Sequence, residues 1–92
     1  MKITWDPVKA KSNRLKHRIF FSDVEPVFYD PNAISFEDLG SDDESIFVGI
    51  GLDALGRLLV VVYTDRKSVI RLISARGASK AEQRVYEKGI RF

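Results

Sequence analysis

The chain has 92 residues, of which 45% are hydrophobic and 30% charged, so it suits one small domain with a single core. It has no cysteine and one histidine, which excludes a disulfide framework and disfavours a zinc site. The net charge of +2 divides into +5 over residues 1–18, −9 over residues 19–53 and +6 over residues 54–92, so basic ends flank an acidic middle. Either one side meets a polyanion and another side a cationic partner, or the charges mix in space and only keep the protein soluble.

No segment predicts contact with a membrane. The longest apolar run, Leu58–Tyr63, is much shorter than a bilayer-spanning helix. The first residues, MKITWDP, lack the apolar region of a signal peptide. We therefore expect a soluble, cytoplasmic protein.

The N-terminal third predicts a short extended segment and two helices. Lys2–Trp5 suits an edge strand, and Asp6-Pro7 then gives an N-cap and a first-turn proline for a helix that ends near His17. Ser22–Glu25 has the spacing of a capping box and predicts a second helix, ending near Tyr29. Because Pro26 falls inside its first turn, this second helix should be short or irregular.

Four apolar segments then predict the strands of an antiparallel meander. They are Ala33–Glu37, Ser45–Leu52, Leu58–Thr64 and Val69–Ala75. Gly49 and Gly51 indicate a bulge or a close backbone approach in the second strand. Asp53–Gly56 and Asp65–Ser68 predict the turns on either side of the third strand.

A last helix follows the sheet. Ser79–Glu82 is another capping box, and the helix should end near Lys88, with Gly89 as its C-terminal stop. The chain as a whole predicts one α+β domain over residues 1–92, with two N-terminal helices, a four-stranded antiparallel sheet and a C-terminal helix.

Two arginines in the fourth strand predict a phosphate-binding surface. Burying an arginine in a strand is costly unless it is paired or faces a site, so the presence of Arg71 and Arg76 in this strand has to be explained. They are five residues apart, so in a regular strand they face opposite sides, and they share a site only if the strand bends or ends near Ser74. The alternative is that they form salt bridges with Glu82, Glu87 or Asp6.

A set of separated residues spans nearly the whole chain in a specific order. It comprises Trp5-Asp6, Lys9, Asn13, Lys16-His17, Phe28-Tyr29-Asp30-Pro31, Gly51, the strand Leu58–Tyr63 with Thr64, Arg71-Leu72-Ile73-Ser74-Ala75-Arg76, Ala78, Glu82 and Tyr86. In this order the residues resemble the BrnT family of type II toxins.

This resemblance implies a RelE-like ribonuclease fold and an endoribonuclease that cleaves mRNA and so inhibits translation. It also implies neutralisation by a BrnA-type antitoxin with a ribbon-helix-helix DNA-binding domain. Toxin and antitoxin together would then repress their own operon, with operator DNA contacted only through the antitoxin.

Metal-independent RNA cleavage needs a base for the 2′-hydroxyl, cations for the phosphate and an acid for the leaving 5′-oxygen. The candidates for catalysis and phosphate binding are His17, Arg71, Arg76, Glu82 and Tyr86, with Lys9 and Lys16 as further RNA ligands. We expect no metal and no cofactor.

Each candidate also has a structural interpretation. His17 can interact with the helix dipole, Glu82 can serve only the capping box, and Tyr86 can be a core residue with a solvated hydroxyl. Lys9 can be part of a solvated helix face, and Trp5 is interpreted as core or sheet-edge packing rather than a base-stacking platform.

Two departures from the family pattern favour a second hypothesis. Arg18 stands where the family has glycine, and Ser45 follows Glu44 where the family commonly has arginine. The alternative function is a weakened, toxin-like binding module that still binds the antitoxin and regulates the operon. The acidic segment Glu37–Glu44 is either a solvated loop or a docking surface for a basic antitoxin segment.

Overall fold

The computed structural model describes residues 1–39 and 45–89. The α+β class is confirmed. The elements are β1 (Lys2–Trp5), α1 (Pro7–His17), two 3₁₀ helices (Phe21–Asp23 and Glu25–Tyr29), β2 (Ile34–Asp38), β3 (Ile46–Leu52), β4 (Leu58–Arg66), β5 (Val69–Gly77) and α2 (Lys80–Lys88). None of the helices in these described ranges is long and apolar enough to cross a bilayer.

The strands form one five-stranded sheet in the order β1-β5-β4-β3-β2. Strands β2 to β5 make the predicted antiparallel meander, while β1 pairs in parallel with β5, with Ile3 opposite Ile70. The expected four-stranded antiparallel sheet was therefore wrong: the sheet is mixed and has a fifth strand. Lys2–Trp5 is the predicted edge strand, but parallel pairing requires a crossover, and a four-residue segment carries no local signal for its distant neighbour.

The second N-terminal helix, which was expected to be short or irregular, is not a single helix. Two 3₁₀ helices take its place and end at Tyr29, and neither has a hydrogen bond from a side-chain cap, so the prediction that Ser22 acts as the N-cap was wrong. Pro26 lacks an amide donor and restricts the residue before it, which explains why an α-helix does not form here. The apolar side chains Val24 and Val27 nevertheless point into the core.

The β4–β5 hairpin is tighter than predicted. Only Lys67 and Ser68 separate the strands, and both have left-handed backbone angles, with φ of 50° and 68°. A two-residue loop of this kind matches the twist of antiparallel strands. Val62 of β4 is paired with Ser74 of β5, but the next β4 residue, Tyr63, is paired with Leu72. Ile73 is therefore an extra residue that forms a bulge in β5.

One face of the sheet carries the main core. Side chains from β4 and β5 pack there against the segment that follows α1; the buried cluster is Ile19, Phe21, Val24, Val27, Leu59, Val61, Tyr63, Ile70, Leu72 and Ala75. Gly51 allows Val27 and Ala33 to approach, because a Cβ at Gly51 would lie 3.0 Å from Val27 Cγ1 and 3.2 Å from Ala33 Cβ. The predicted close approach is thus confirmed at Gly51, whereas the bulge lies in β5 rather than in β3.

Candidate active site

The bulge in β5 decides where the two strand arginines point. Arg71 lies opposite Thr64, and Arg76 lies opposite Val60, four residues away along β4. An even separation on the partner strand puts both arginines on one face, the face away from the main core. Their Cα atoms are about 13 Å apart, since each strand residue advances about 3.4 Å. Ser74, opposite Val62, lies between them on the same face.

Asn13 attaches α1 to β5 and is buried, with only 5% of its surface exposed. Its Nδ2 donates to the carbonyl oxygens of Ala75 (2.9 Å) and Ile19 (3.1 Å), and its Oδ1 accepts from the Ala75 N–H (3.0 Å). The pairing of β1 with β5 ends at Leu72, so this amide side chain takes the place of a strand neighbour for Ala75. This role of Asn13 is not visible in the sequence, because its main partner is 62 residues away.

A cavity of about 240 Å³ lies between α1 and β5, and we call it the α1–β5 groove. Its lining residues are Lys9, Ser12, Asn13, Lys16, His17, Ile73 and Ser74. Lys9 and Lys16 are exposed and His17 is half-buried. None of these three side chains has a hydrogen bond or ion pair with another residue of the described ranges. The structure therefore brings three predicted site residues together on the β5 side of α1.

Arg71 is an exposed cation on the neighbouring sheet face. Its guanidinium has no hydrogen bond or ion pair with any residue in the described part of the chain. Thr4 of β1 lies beside Arg71, and its hydroxyl donates to the Ile70 carbonyl at 3.2 Å. Arg71 is thus available to bind an anion next to the groove.

Arg76 is engaged by Glu82 of α2. Its Nη1 and Nη2 donate to Glu82 Oε1 (2.8 Å) and Oε2 (2.7 Å). This is one of the salt bridges that were named from the sequence as the alternative to phosphate binding. Glu82 also completes the predicted capping box with Ser79. The Arg76 guanidinium, followed by the Ser79 N–H, lowers the pKa of Glu82 to about 2, and the same pair raises the pKa of Arg76. Glu82 is therefore an anion near neutral pH, with a role in holding α2 to β5.

Tyr86 lies away from the groove. Its hydroxyl donates to Asp30 Oδ2 at 2.7 Å, and the same oxygen accepts from the Leu52 N–H at 3.0 Å. Burial raises the pKa of Asp30, but the hydrogen bonds from Tyr86, Leu52 and Asn32 outweigh it and hold that pKa below its usual value. Since Leu52 belongs to β3, which β4 separates from β5, Tyr86 is held at a different part of the sheet.

Part of the predicted surface lies outside the described residues. The acidic segment Glu37–Glu44 is described only as far as Leu39, so Glu44 has no structural account. Glu37, Asp38 and Leu39 are exposed at the β2 edge, and Ser45 is exposed directly before β3.

Comparison with known proteins gives consistent results at the levels of family and fold. The family model described as "Ribonuclease toxin, BrnT, of type II toxin-antitoxin system" matches residues 5–82. Among solved structures, the crystal structure of the Brucella abortus ribonuclease toxin BrnT is similar, with 28% identity and a TM-score of 0.70, over 87% of this chain and 99% of that one. A search of curated protein sequences gives no significant match. The chain therefore belongs to the BrnT family of ribonuclease toxins of type II toxin–antitoxin systems.

Proposed function

We propose that this chain is an endoribonuclease that cleaves mRNA by metal-independent acid–base chemistry in the α1–β5 groove. The observation that carries the proposal is the cluster of Lys9, Lys16 and His17 around one cavity beside Ser74. These side chains have no partners among the described residues, and neither does the guanidinium of Arg71 on the adjoining strand. Cations held without counterions at a groove are suited to an RNA backbone.

In the proposed reaction, His17 accepts the proton of a 2′-hydroxyl, because imidazole is the side chain that exchanges protons near neutral pH. The 2′-oxygen attacks the adjacent phosphorus, and the bond from phosphorus to the 5′-oxygen breaks, which leaves a cyclic phosphate. Arg71 and the lysines bind the phosphate oxygens as negative charge develops on them. The leaving 5′-oxygen takes a proton from Lys9 or Lys16.

The remaining candidates act at a distance in this scheme. Glu82 is an anion bound to Arg76, and Tyr86 is bound to Asp30, so neither is well placed to protonate the leaving oxygen. Arg76 is held by Glu82 along the same face as Arg71, where it can contact a neighbouring part of the RNA backbone. We therefore assign Arg76 to RNA binding and Glu82 to its orientation.

We further propose a BrnA-type ribbon-helix-helix antitoxin as the cytoplasmic partner, with the operon repressed through the DNA-binding domain of the antitoxin. Membership in a type II toxin family supports an antitoxin in general. Phe36 and Glu37 on the edge strand β2, and Leu39 just after it, are exposed. An edge strand with apolar and acidic side chains suits a basic, partly apolar antitoxin segment.

Incubation of the purified protein with total RNA tests the proposed reaction. We expect cleavage by the wild type, and its loss in His17→Ala and in Arg71→Ala. Arg84→Ala is the matched control, because Arg84 is an exposed cation on α2, away from the groove. If the wild type leaves RNA intact, or if His17→Ala and Arg71→Ala cleave as fast as Arg84→Ala, the proposed reaction is wrong. Induced expression without antitoxin should arrest growth for the wild type and Arg84→Ala, but not for His17→Ala or Arg71→Ala.

A binding module without cleavage is the second candidate function. Arg18 and Ser45 replace residues of the family pattern, and Glu82 and Tyr86 are both occupied by structural partners. This function predicts that the protein co-purifies with the antitoxin and that the complex binds operator DNA, while RNA remains uncut. Absence of a protein partner at any salt concentration would contradict it.

A further inference from the structure

A second groove lies on the other flank of α1. Trp5, Lys11, Arg14 and Phe20 line a cavity of about 220 Å³. Arg14 and Phe20 also line an adjoining hollow of about 440 Å³, together with Arg18. We call these five residues the cation–aromatic groove.

The geometry of α1 separates the two grooves. At about 100° per residue, Lys11 and Arg14 lie on the opposite side of the helix axis from Lys9 and Lys16. The buried side of α1, which includes Asn13, lies between these two flanks. Each flank therefore presents its own set of cations, and the exposed side of α1 between them carries the apolar side chains Val8 and Leu15.

Both aromatic side chains of this groove are partly exposed to solvent. Phe20 is 49% exposed and Trp5 is 38% exposed. Trp5 packs against Phe21 in an edge arrangement, with ring centroids 6.0 Å apart, which agrees with the expected sheet-edge packing but leaves part of the indole uncovered. The Arg14 guanidinium lies over the Phe20 ring, with Cζ 4.9 Å from the centroid. Such a stack presents a flat, cationic surface on which a planar group can lie.

The lining of this groove contains cations but, among the described residues, no carboxylate. Lys11, Arg14 and Arg18 form no ion pair within the same part of the chain. Arg18 occupies a left-handed backbone conformation, with φ of 59°, which is unfavourable for a residue with a side chain. Arg18 thus places a cation at the groove although its backbone conformation is unfavourable.

We propose that the cation–aromatic groove binds an unpaired nucleotide of single-stranded RNA outside the cleavage site. The base stacks on the Arg14–Phe20 pair or on Trp5, and the adjacent phosphates contact Lys11 and Arg18. Single-stranded RNA alternates planar bases with phosphates, and so matches both properties of the groove, whereas an acidic peptide would use only the cations. The proposal takes RNA as the ligand from the proposed function, but it concerns binding rather than cleavage.

Trp5 is the only tryptophan in the chain, so its fluorescence reports on this groove directly. We would titrate a His17→Ala variant, which is proposed not to cleave, with a single-stranded RNA oligonucleotide. Fluorescence anisotropy of labelled RNA would measure the same binding independently. We expect quenching of Trp5, and about tenfold weaker binding when Phe20→Ala is added. Arg14→Lys keeps the charge but loses the flat stack, so binding should weaken there too, while Arg84→Ala should leave it unchanged.

Arg18→Gly gives a second, independent readout. It relieves the backbone strain and removes a cation, so the variant should be more stable and yet bind the oligonucleotide several-fold more weakly. A protein that is merely destabilised cannot give this combination.

Three results would overturn the proposal. They are an absence of RNA binding, RNA binding that neither quenches Trp5 nor responds to Phe20→Ala, and quenching by the purified antitoxin but not by RNA. The second result leaves the proposed cleavage intact, because the wild type can still be tested on RNA. Conversely, a protein that binds RNA through Phe20 but never cleaves it retains this groove and loses the proposed reaction.

Discussion

The buried amide of Asn13 satisfies three backbone groups at once. Replacing it by alanine leaves the Ala75 N–H and the carbonyls of Ala75 and Ile19 without these partners. Each unsatisfied buried group costs about 1–3 kcal/mol, with partial relief by water, so we expect Asn13→Ala to lower the free energy of unfolding by about 3 kcal/mol. Urea denaturation measures this change. Ser12→Ala is the control, since Ser12 is an exposed neighbour in the same groove, and an equal loss there would contradict the argument.

Replacing Arg18 should have the opposite effect on stability, because its backbone conformation is strained. It is the C-cap of α1, its N–H donates to the Arg14 carbonyl, and its ψ is 29°. Glycine adopts this conformation freely, so Arg18→Gly should raise the free energy of unfolding by about 1 kcal/mol. Leu15→Gly, at an exposed position inside α1, should instead lower it by a similar amount. A loss of stability in Arg18→Gly would show that side-chain contacts of Arg18 matter more than its backbone.

At the scale of single residues, sequence reasoning succeeded where the cause was local. Ser79 and Glu82 are three residues apart, and the capping box follows from that spacing alone. The ion pair between Glu82 and Arg76 was anticipated only in part, since Glu82 was one of three acids named as possible partners of two arginines. The role of Asn13 could not be predicted, because a contact between residues 62 apart depends on the whole fold.

At the scale of elements, α2 is an exposed helix with no fully buried residue, held to β5 by the ion pair between Arg76 and Glu82. The pKa of Glu82 is lowered to about 2 from its ordinary value of 4.5. A lowered carboxyl pKa stabilises the folded state above the unfolded-state pKa, and this contribution is lost as pH falls through the folded-state pKa. Because the pair is partly solvated, its contribution near neutral pH should be about 1 kcal/mol.

Glu82→Gln tests this contribution. The variant should be about 1 kcal/mol less stable than the wild type near neutral pH, and the two should converge as the pH falls from about 5 to about 2. Thermal or urea unfolding across this range gives the difference. Glu87→Gln removes another carboxylate of α2, one that accepts a hydrogen bond from Gln83 and forms no ion pair among the described residues, and should show no such convergence. A difference between wild type and Glu82→Gln that does not depend on pH would rule out the ion pair as its cause.

The bulge in β5 is the element that sequence alone could not locate. Because Arg71 and Arg76 are five residues apart, they can share a face only if the strand is irregular near Ser74. Ile73 meets that condition by adding one residue to β5. Nothing at Ile73 identifies it as a bulge, since it is a β-branched residue in an apolar run and fits a regular strand equally well. The same limit applies to β1, whose strand character was visible but whose parallel partner was not.

At the scale of the whole molecule, the sheet separates the described charges along its width. The basic helix α1 and Arg71 lie near β1 and β5, at one end of the strand order, and Glu37 lies on β2, at the other. Some charges do mix, since Arg57 bridges to Asp53 (2.6 Å) and Asp23 (3.6 Å). These edge residues nevertheless have the two-sided arrangement that the charge pattern allowed. The α1–β5 groove, where we propose that RNA binds, is thus separated from the edge where we propose that the antitoxin binds.

This separation predicts that antitoxin binding and RNA cleavage respond to different substitutions. Glu37→Lys reverses an exposed charge on β2 and should slow association with a basic antitoxin segment, with a weaker dependence on salt. RNA cleavage should be unchanged, because the α1–β5 groove is at the opposite end of the strand order. Stopped-flow association at several salt concentrations, together with the RNA assay, measures both effects. Glu87→Lys on α2 is the control for a simple change in net charge. If both reversals slow association equally, or if Glu37→Lys alters cleavage alone, the antitoxin does not dock at the β2 edge.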